Sequence, residues 1–248
     1  TSSELLNVGE EAIENILLSL FIDRKIVVEN LDDVKAVYSI AFHRAEVGIV
    51  RRLLTLAQYP VSTVQFDIDN EINKLEEEDG IALAANQREA VQQAVTKGLL
   101  VVTGGPGTGK TTTIKAIIRL FERMGLTVLL CAPTGRAAKR MQEATGRDSC
   151  TIHRLLEYGY GEKDEEMIFQ KNGDSPLEAN AIIVDEVSMV DILLMNHLLK
   201  AISEGTRLIL VGDVDQLPSV GPGCVLKDII GSNAVSVVRL EEIFRQAQ

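Results

Sequence analysis

A glycine-rich turn set between a wholly apolar run and a helical one constrains this chain more than any other feature. It reads Val101-Val102-Thr103-Gly104-Gly105-Pro106-Gly107-Thr108-Gly109-Lys110-Thr111-Thr112-Thr113. The apolar run Leu99 to Val102 predicts a buried strand, and Ile114, Ile117, Ile118 and Phe121 recur at helical spacing after the turn. Gly104 through Gly109, Lys110 and Thr111 fit the pattern G-x-x-x-x-G-K-[ST], whose backbone N–H groups point inward at the phosphates of a nucleotide. Glycines are needed there because side chains would keep the backbone from the phosphates and because some positions require positive φ. The expected cradle is Gly105, Pro106, Gly107, Thr108, Gly109, Lys110, Thr111 and Thr112. Lys110 is expected to reach the β- and γ-phosphates of ATP, and the Thr111 hydroxyl to sit on Mg²⁺. The following helix offers the positive end of its dipole.

Around this loop the pattern alternates apolar strands with helices. A helix at 86–97 precedes the loop. After it come strand 127–132, helix 136–144, a shorter helix 151–157, a polar glycine-dotted insertion at 158–179 that suits a hairpin, strand 181–184, helix 191–202, strand 207–211, helix 225–230 and strand 236–240. Apolar strands alternating with helices predict an α/β domain with a mainly parallel sheet covered on both faces. Right-handed crossovers then put the loops that follow the strands on one edge, where ligands bind.

Residues 1–80 differ in pattern. A helix over 10–25 is followed by two short β-branched runs, Ile26-Val27-Val28 and Ala36-Val37-Tyr38, and by a second amphipathic helix over 40–58. Helix plus hairpin suits a small helical, winged-helix-like domain, and the acidic charge suits a packing or partner-docking role for it without DNA contact. The acidic segment 67–80 predicts a short helix running out into a linker, which places a domain boundary at Gly80, between domains 1–80 and 81–248. The net charge of −11 is concentrated in the first of these, with 16 acidic and 7 basic side chains among residues 1–80 and 20 and 18 in the rest. Within 133–154 the sign reverses: Arg136, Lys139, Arg140, Arg147 and Arg154 face only Glu143 and Asp148. That excess suits a phosphate backbone or a solvated helix face. Three widely spaced cysteines suit reduced thiols in a cytoplasmic protein, and no apolar run has the length of a membrane span.

Two further loops carry chemistry. Ile182-Ile183-Val184 ends in Asp185-Glu186, where Asp185 can hold Mg²⁺ and Glu186 can polarise the water that attacks the γ-phosphate. Gln216, in Gly212-Asp213-Val214-Asp215-Gln216-Leu217-Pro218, can bond the γ-phosphate on one side and its water on the other; the same residues also suit a plain turn. Gln87 stands ahead of the phosphate loop, where an amide can read an adenine edge.

The segments GGPGTGKTTT, APTGRAAKRM, TIHRLL, IIVDEVSMVD, GDVDQLPSVGPG and LEEIFRQ, in this order, resemble superfamily 1 DNA helicases of the RecD type over residues 81–248. Residues 1–80 also resemble the region preceding the motor in the longer bacterial RecD-like helicases. The resemblance implies a RecA-like P-loop NTPase, a DNA-dependent ATPase moving 5′ to 3′ on single-stranded DNA, with other DNA repair proteins as partners. It implies that Gln87 contacts adenine, that Gln216 and Arg245 contact the γ-phosphate, Arg245 as an arginine finger, and that Pro133, Thr134, Gly135, Arg136, Thr151 and His153 face DNA. From the residues alone, Thr151 is equally a helix cap and His153 a surface histidine. The sequence starts at Thr1 and stops before a second RecA-like domain, so it reads as a piece of a longer chain, one expected to bind nucleotide weakly and not to unwind DNA by itself. A nucleotide-dependent switch or assembly ATPase without nucleic-acid transport is the alternative; it has no need of the TIHRLL and APTGRAA segments.

Overall fold

The computed structural model describes residues 7–31, 34–59, 67–160 and 167–242. Its contacts divide the chain into two compact units, 1–48 and 49–248. The first holds helix α1 (Glu10–Ile22), the antiparallel hairpin β1 (Ile26–Leu31) and β2 (Val34–Ser39), and the opening turns of helix α2 (Ile40–Gln58). His43 on α2 bonds Glu29 of β1 at 2.8 Å and lies against the Tyr38 ring, tying that helix to the hairpin.

The second unit contains the rest of α2, α3 (Ile68–Asp79), α4 (Ala85–Thr96), β3 (Leu99–Gly104), α5 (Lys110–Arg123), β4 (Val128–Ala132), α6 (Gly135–Thr145), β5 (Ser149–Thr151), the single turn α7 (Ile152–Leu155), the hairpin β6 (Tyr158–Tyr160) and β7 (Met167–Phe169), β8 (Ala181–Val184), α8 (Ile192–Lys200), β9 (Arg207–Gly212), α9 (Val225–Gly231) and β10 (Ser236–Leu240). Six strands form one sheet in the order β10-β3-β9-β8-β4-β5, and every pairing is parallel. This is the α/β architecture expected. Because side chains alternate along a strand, each strand feeds two cores. Leu99, Val101, Ile182, Val184, Leu208 and Leu210 pack with Leu53 and Leu56 of α2, Met195 and Leu198 of α8 and Ile229 of α9. Leu100, Val102, Ile183, Ile209 and Val211 turn the other way, against Ile72, Val91, Ile117 and Phe121 of α3, α4 and α5.

Two expectations change. The short helix expected at the start of 67–80 is α3, and it runs on to Asp79, through the part expected as a linker: Asp67 caps it through the Asn70 N–H at 3.2 Å, Gly80 ends it in the left-handed region at φ 61°, and Ile72 and Leu75 are buried in the second core. The contact division falls at Gly48/Ile49, so α3 lies inside the second compact unit. The helix expected over 151–157 is one turn, preceded by strand β5, which pairs Cys150 with Cys131 at the sheet edge. Among the described residues, no helix is long and apolar enough to cross a membrane.

Candidate nucleotide site

Every parallel strand delivers its following loop to the same sheet edge. The phosphate loop follows β3, Pro133–Arg136 follow β4, Asp185-Glu186 follow β8 and Asp213–Gly223 follow β9. Gly107 and Gly109 take φ of 79° and 81°, which the turn into α5 requires. A Cβ on Gly104 would stand 2.7 Å from both the Leu240 carbonyl oxygen and Thr108 Oγ1, so here glycine is fixed by close approach. The Thr108 hydroxyl donates to the Gly105 carbonyl at 2.9 Å and braces the turn. Lys110 Nζ donates to the Gly104 and Gly105 carbonyls at 2.6 and 2.9 Å, which parks the ammonium inside the loop.

A cavity of about 460 Å³ brings Lys110 and Thr111 of α5, Asp185 and Glu186 after β8, and Arg140 of α6 to one place. Asp185 accepts the Glu186 N–H at 2.9 Å, and burial pushes its carboxyl up, opposed by the nearby Lys110 and Arg140 cations. Glu186 sits at φ 53°, a left-handed backbone that turns it off the strand end. Its Oε1 accepts from Arg140 Nη2 at 3.3 Å, and its buried Oε2 has no hydrogen-bond partner among the described residues. Thr111 and Asp185 suit Mg²⁺: one hydroxyl and one carboxylate beside a phosphate loop leave room for water and phosphate oxygens, as that cation prefers. Among the described residues no cluster of three or more His, Cys, Asp or Glu offers a cage of protein ligands instead.

The other expected residues are placed less uniformly. Gln87 is 3% exposed, its Oε1 accepting the Ala84 N–H at 3.0 Å and its Nε2 3.5 and 3.4 Å from the Thr108 and Gly109 carbonyls. Contact with an adenine edge requires the amide to leave those bonds. Gln216 is exposed and lines a different cavity, of about 330 Å³, with Ser188, Asp215, Cys224 and Lys227, so it does not join Lys110 and Asp185. Asp213, in the same loop, is buried and accepts the Asp215 N–H at 3.0 Å, which holds the turn. Thr134 caps α6 through the Ala137 N–H at 3.2 Å, and Thr151 caps α7 through the Arg154 N–H at 3.1 Å. Pro133 is half-buried, Gly135 and Arg136 are exposed, and His153 packs its ring on Tyr158 and Phe169. Arg245 lies outside the described residues. Sequence reasoning passed over Arg140 as a member of the site; its place one helical turn after Arg136 was the available signal.

Residues 87–222 match the family model described as an AAA domain. The chain is 46% identical over 165 residues to the ATP-dependent RecD2 DNA helicase of Deinococcus radiodurans, covering 66% of this chain and 22% of that protein. It is 39% identical over 188 residues to the RecBCD enzyme subunit RecD of Mycolicibacterium smegmatis, covering 65% and 33%. A crystal structure of Pif1 helicase from Candida albicans is similar at 26% identity and a TM-score of 0.48, over 67% of this chain and 41% of that one. The chain thus spans a third or less of the length of these two curated relatives. Since the matched span takes in more than half of the chain, this chain belongs to the AAA domain family, and within it resembles the RecD-type helicases.

Proposed function

We propose that this chain is the ATP-binding motor domain of a longer DNA helicase that moves 5′ to 3′ on single-stranded DNA and serves DNA repair or recombination. The observation that carries the reading is the single cavity shared by Lys110, Thr111, Asp185 and Glu186. On binding ATP, Lys110 exchanges the loop carbonyls for β- and γ-phosphate oxygens, and loop N–H groups take up the remaining charge. Thr111 and Asp185 would hold Mg²⁺, which when bound neutralises charge on the phosphates. Glu186 orients a water in line with the γ-phosphorus: the water oxygen bonds to phosphorus, the bond to the bridging oxygen breaks, and the water's proton passes to the Glu186 carboxylate. Gln216 and Arg245 complete the γ-phosphate contacts when a second RecA-like domain closes on this one. Gln87 then meets the adenine edge by releasing its present bonds.

The exposed start of α6, with Thr134, Gly135 and Arg136 after Pro133, is the proposed track for single-stranded DNA, joined by Thr151 and His153. The local cationic excess of 133–154 supports that placement. The decisive measurement is ATP hydrolysis by the full-length helicase with and without single-stranded DNA, beside its Lys110→Ala form. DNA-stimulated turnover that Lys110→Ala abolishes is expected. Turnover that needs Lys110 and ignores DNA replaces the motor reading with a nucleotide-dependent switch or assembly ATPase.

A further inference from the structure

We propose that Arg140 is a positioning residue for hydrolysis, holding one oxygen of Glu186 so that the other is left to take the proton of the attacking water. The inference rests on the ATPase reading above and adds a residue to it. Two oxygens of one carboxylate stand in different surroundings. Oε1 of Glu186 accepts from Arg140 Nη2 at 3.3 Å, while Oε2 is buried and has no hydrogen-bond partner among the described residues. A buried acceptor without a donor is costly, and such groups persist where chemistry uses them. The backbone adds to the aim: Glu186 is held at φ 53°, a conformation sparsely populated by residues with a Cβ, and its N–H is tied to Asp185 Oδ1 at 2.9 Å. With backbone and Oε1 both fixed, the carboxylate is confined to one orientation beside the cavity that Glu186 lines.

Arg140 reaches this point from a rigid element. It lies within the eleven-residue α6, whose start is fixed by the Thr134 cap, and it lines the same cavity as Lys110 and Thr111. A separation of 3.3 Å is long for a charge-assisted bond, but such bonds at active sites often tighten only once substrate is in place. The two side chains differ in exposure, 64% for Arg140 and 18% for Glu186. An ion pair this open contributes little to stability, so it is poorly explained as a fold-holding contact. Its placement on the proposed catalytic carboxylate explains it better.

The test uses the full-length helicase and its Arg140→Ala, Arg140→Lys and Glu186→Gln forms. Three quantities are measured: kcat for ATP at saturating single-stranded DNA, the Kd of a fluorescent ADP, and the Kd of single-stranded DNA across a salt series. Loss of a partner that orients a catalytic group typically costs about 10–100-fold. Arg140→Ala is expected to lower kcat by that factor, with both Kd values and KM within about 2-fold of wild type; Arg140→Lys restores part of the loss, and Arg140→Ala adds nothing further to Glu186→Gln. An unchanged kcat in Arg140→Ala overturns the proposal. So does a weakened DNA Kd with a shallower salt slope and a normal kcat at saturating DNA, which would make Arg140 a ligand of DNA phosphate. If the wild type hydrolyses ATP without regard to DNA, the helicase reading fails and Arg140 is judged on that basal kcat. If it hydrolyses none, both fail.

Discussion

Gln87 joins the start of α4 to the phosphate loop through three backbone groups, so it acts on the loop before any nucleotide arrives. Gln87→Ala leaves the Ala84 N–H and the loop carbonyls without that partner, a loss of about 1–2 kcal/mol. The expected outcome is a Tm lower by about 2–8 °C and a loss of affinity greater for ADP than for GDP. Equal weakening of the two would instead leave the amide as a brace of the loop with no contact to the base. Gly104 and Gly105 form a sharper pair. A Cβ on Gly104 meets backbone and a bracing hydroxyl at 2.7 Å, whereas one on Gly105 meets nothing within 4 Å. Gly104→Ala should destabilise by about 1–3 kcal/mol, and Gly105→Ala should leave the melt unchanged while weakening ADP, since its new methyl lies at the phosphate loop's open side. The loop itself was legible in the sequence because its residue types encode a backbone path. The engagement of Gln87 was not, because its partners lie 21 and 22 residues along the chain and only the fold brings them together.

At the scale of elements, the hairpin β6–β7 is fastened to α8 by a ring stack. Phe169 lies 4.6 Å from Tyr158, 5.8 Å from His153 and 4.4 Å from His197. Burial depresses the His197 pKa below its ordinary 6.5, Lys200 depresses it further, and Asp191 opposes both. The folded chain therefore prefers the neutral ring, and the unfolded chain binds the proton first as pH falls. Stability from this site is complete above pH 6.5 and declines as pH drops through the folded value. A series of melts from pH 7.5 to 5.5 should show the wild-type Tm falling more than that of His197→Leu. Parallel slopes would remove His197 from the account. The hairpin was foreseeable from polar, glycine-dotted sequence between apolar strands. Strand β5 was not: Ser149-Cys150-Thr151 has no strand-like pattern of its own and is a strand only because β4 pairs with it.

For the whole molecule, the instructive segment is 67–80. Composition marked its end, 76–80, as an acidic linker because the cations that answer it lie beyond it in the chain. Arg88 pairs with Glu76 at 2.9 Å, Arg123 with Glu71 and Glu78 at 2.8 and 2.6 Å, and Arg119 with Glu78 at 2.9 Å and with Asp79. These solvent-accessible, mostly half-buried pairs match charge without contributing much free energy. The free energy comes from beneath them, where Ile72 and Leu75 of α3 are buried in one core and Ile49, Leu53 and Leu56 of α2 in the other. Each buried aliphatic side chain contributes about 1.5–3 kcal/mol, so the five together approach the whole stability of an ordinary domain, about 5–15 kcal/mol. Two truncations therefore separate. A fragment of residues 49–248 keeps all five and should melt cooperatively and bind ADP. A fragment of residues 81–248, cut at the boundary that composition suggests, loses them and uncovers the apolar groups of both cores that they packed on, so it should show no cooperative transition in circular dichroism and no ADP binding. A cooperative melt of 81–248 within a few degrees of 49–248 would show that α2 and α3 only decorate the sheet and that the acidic segment is a linker after all.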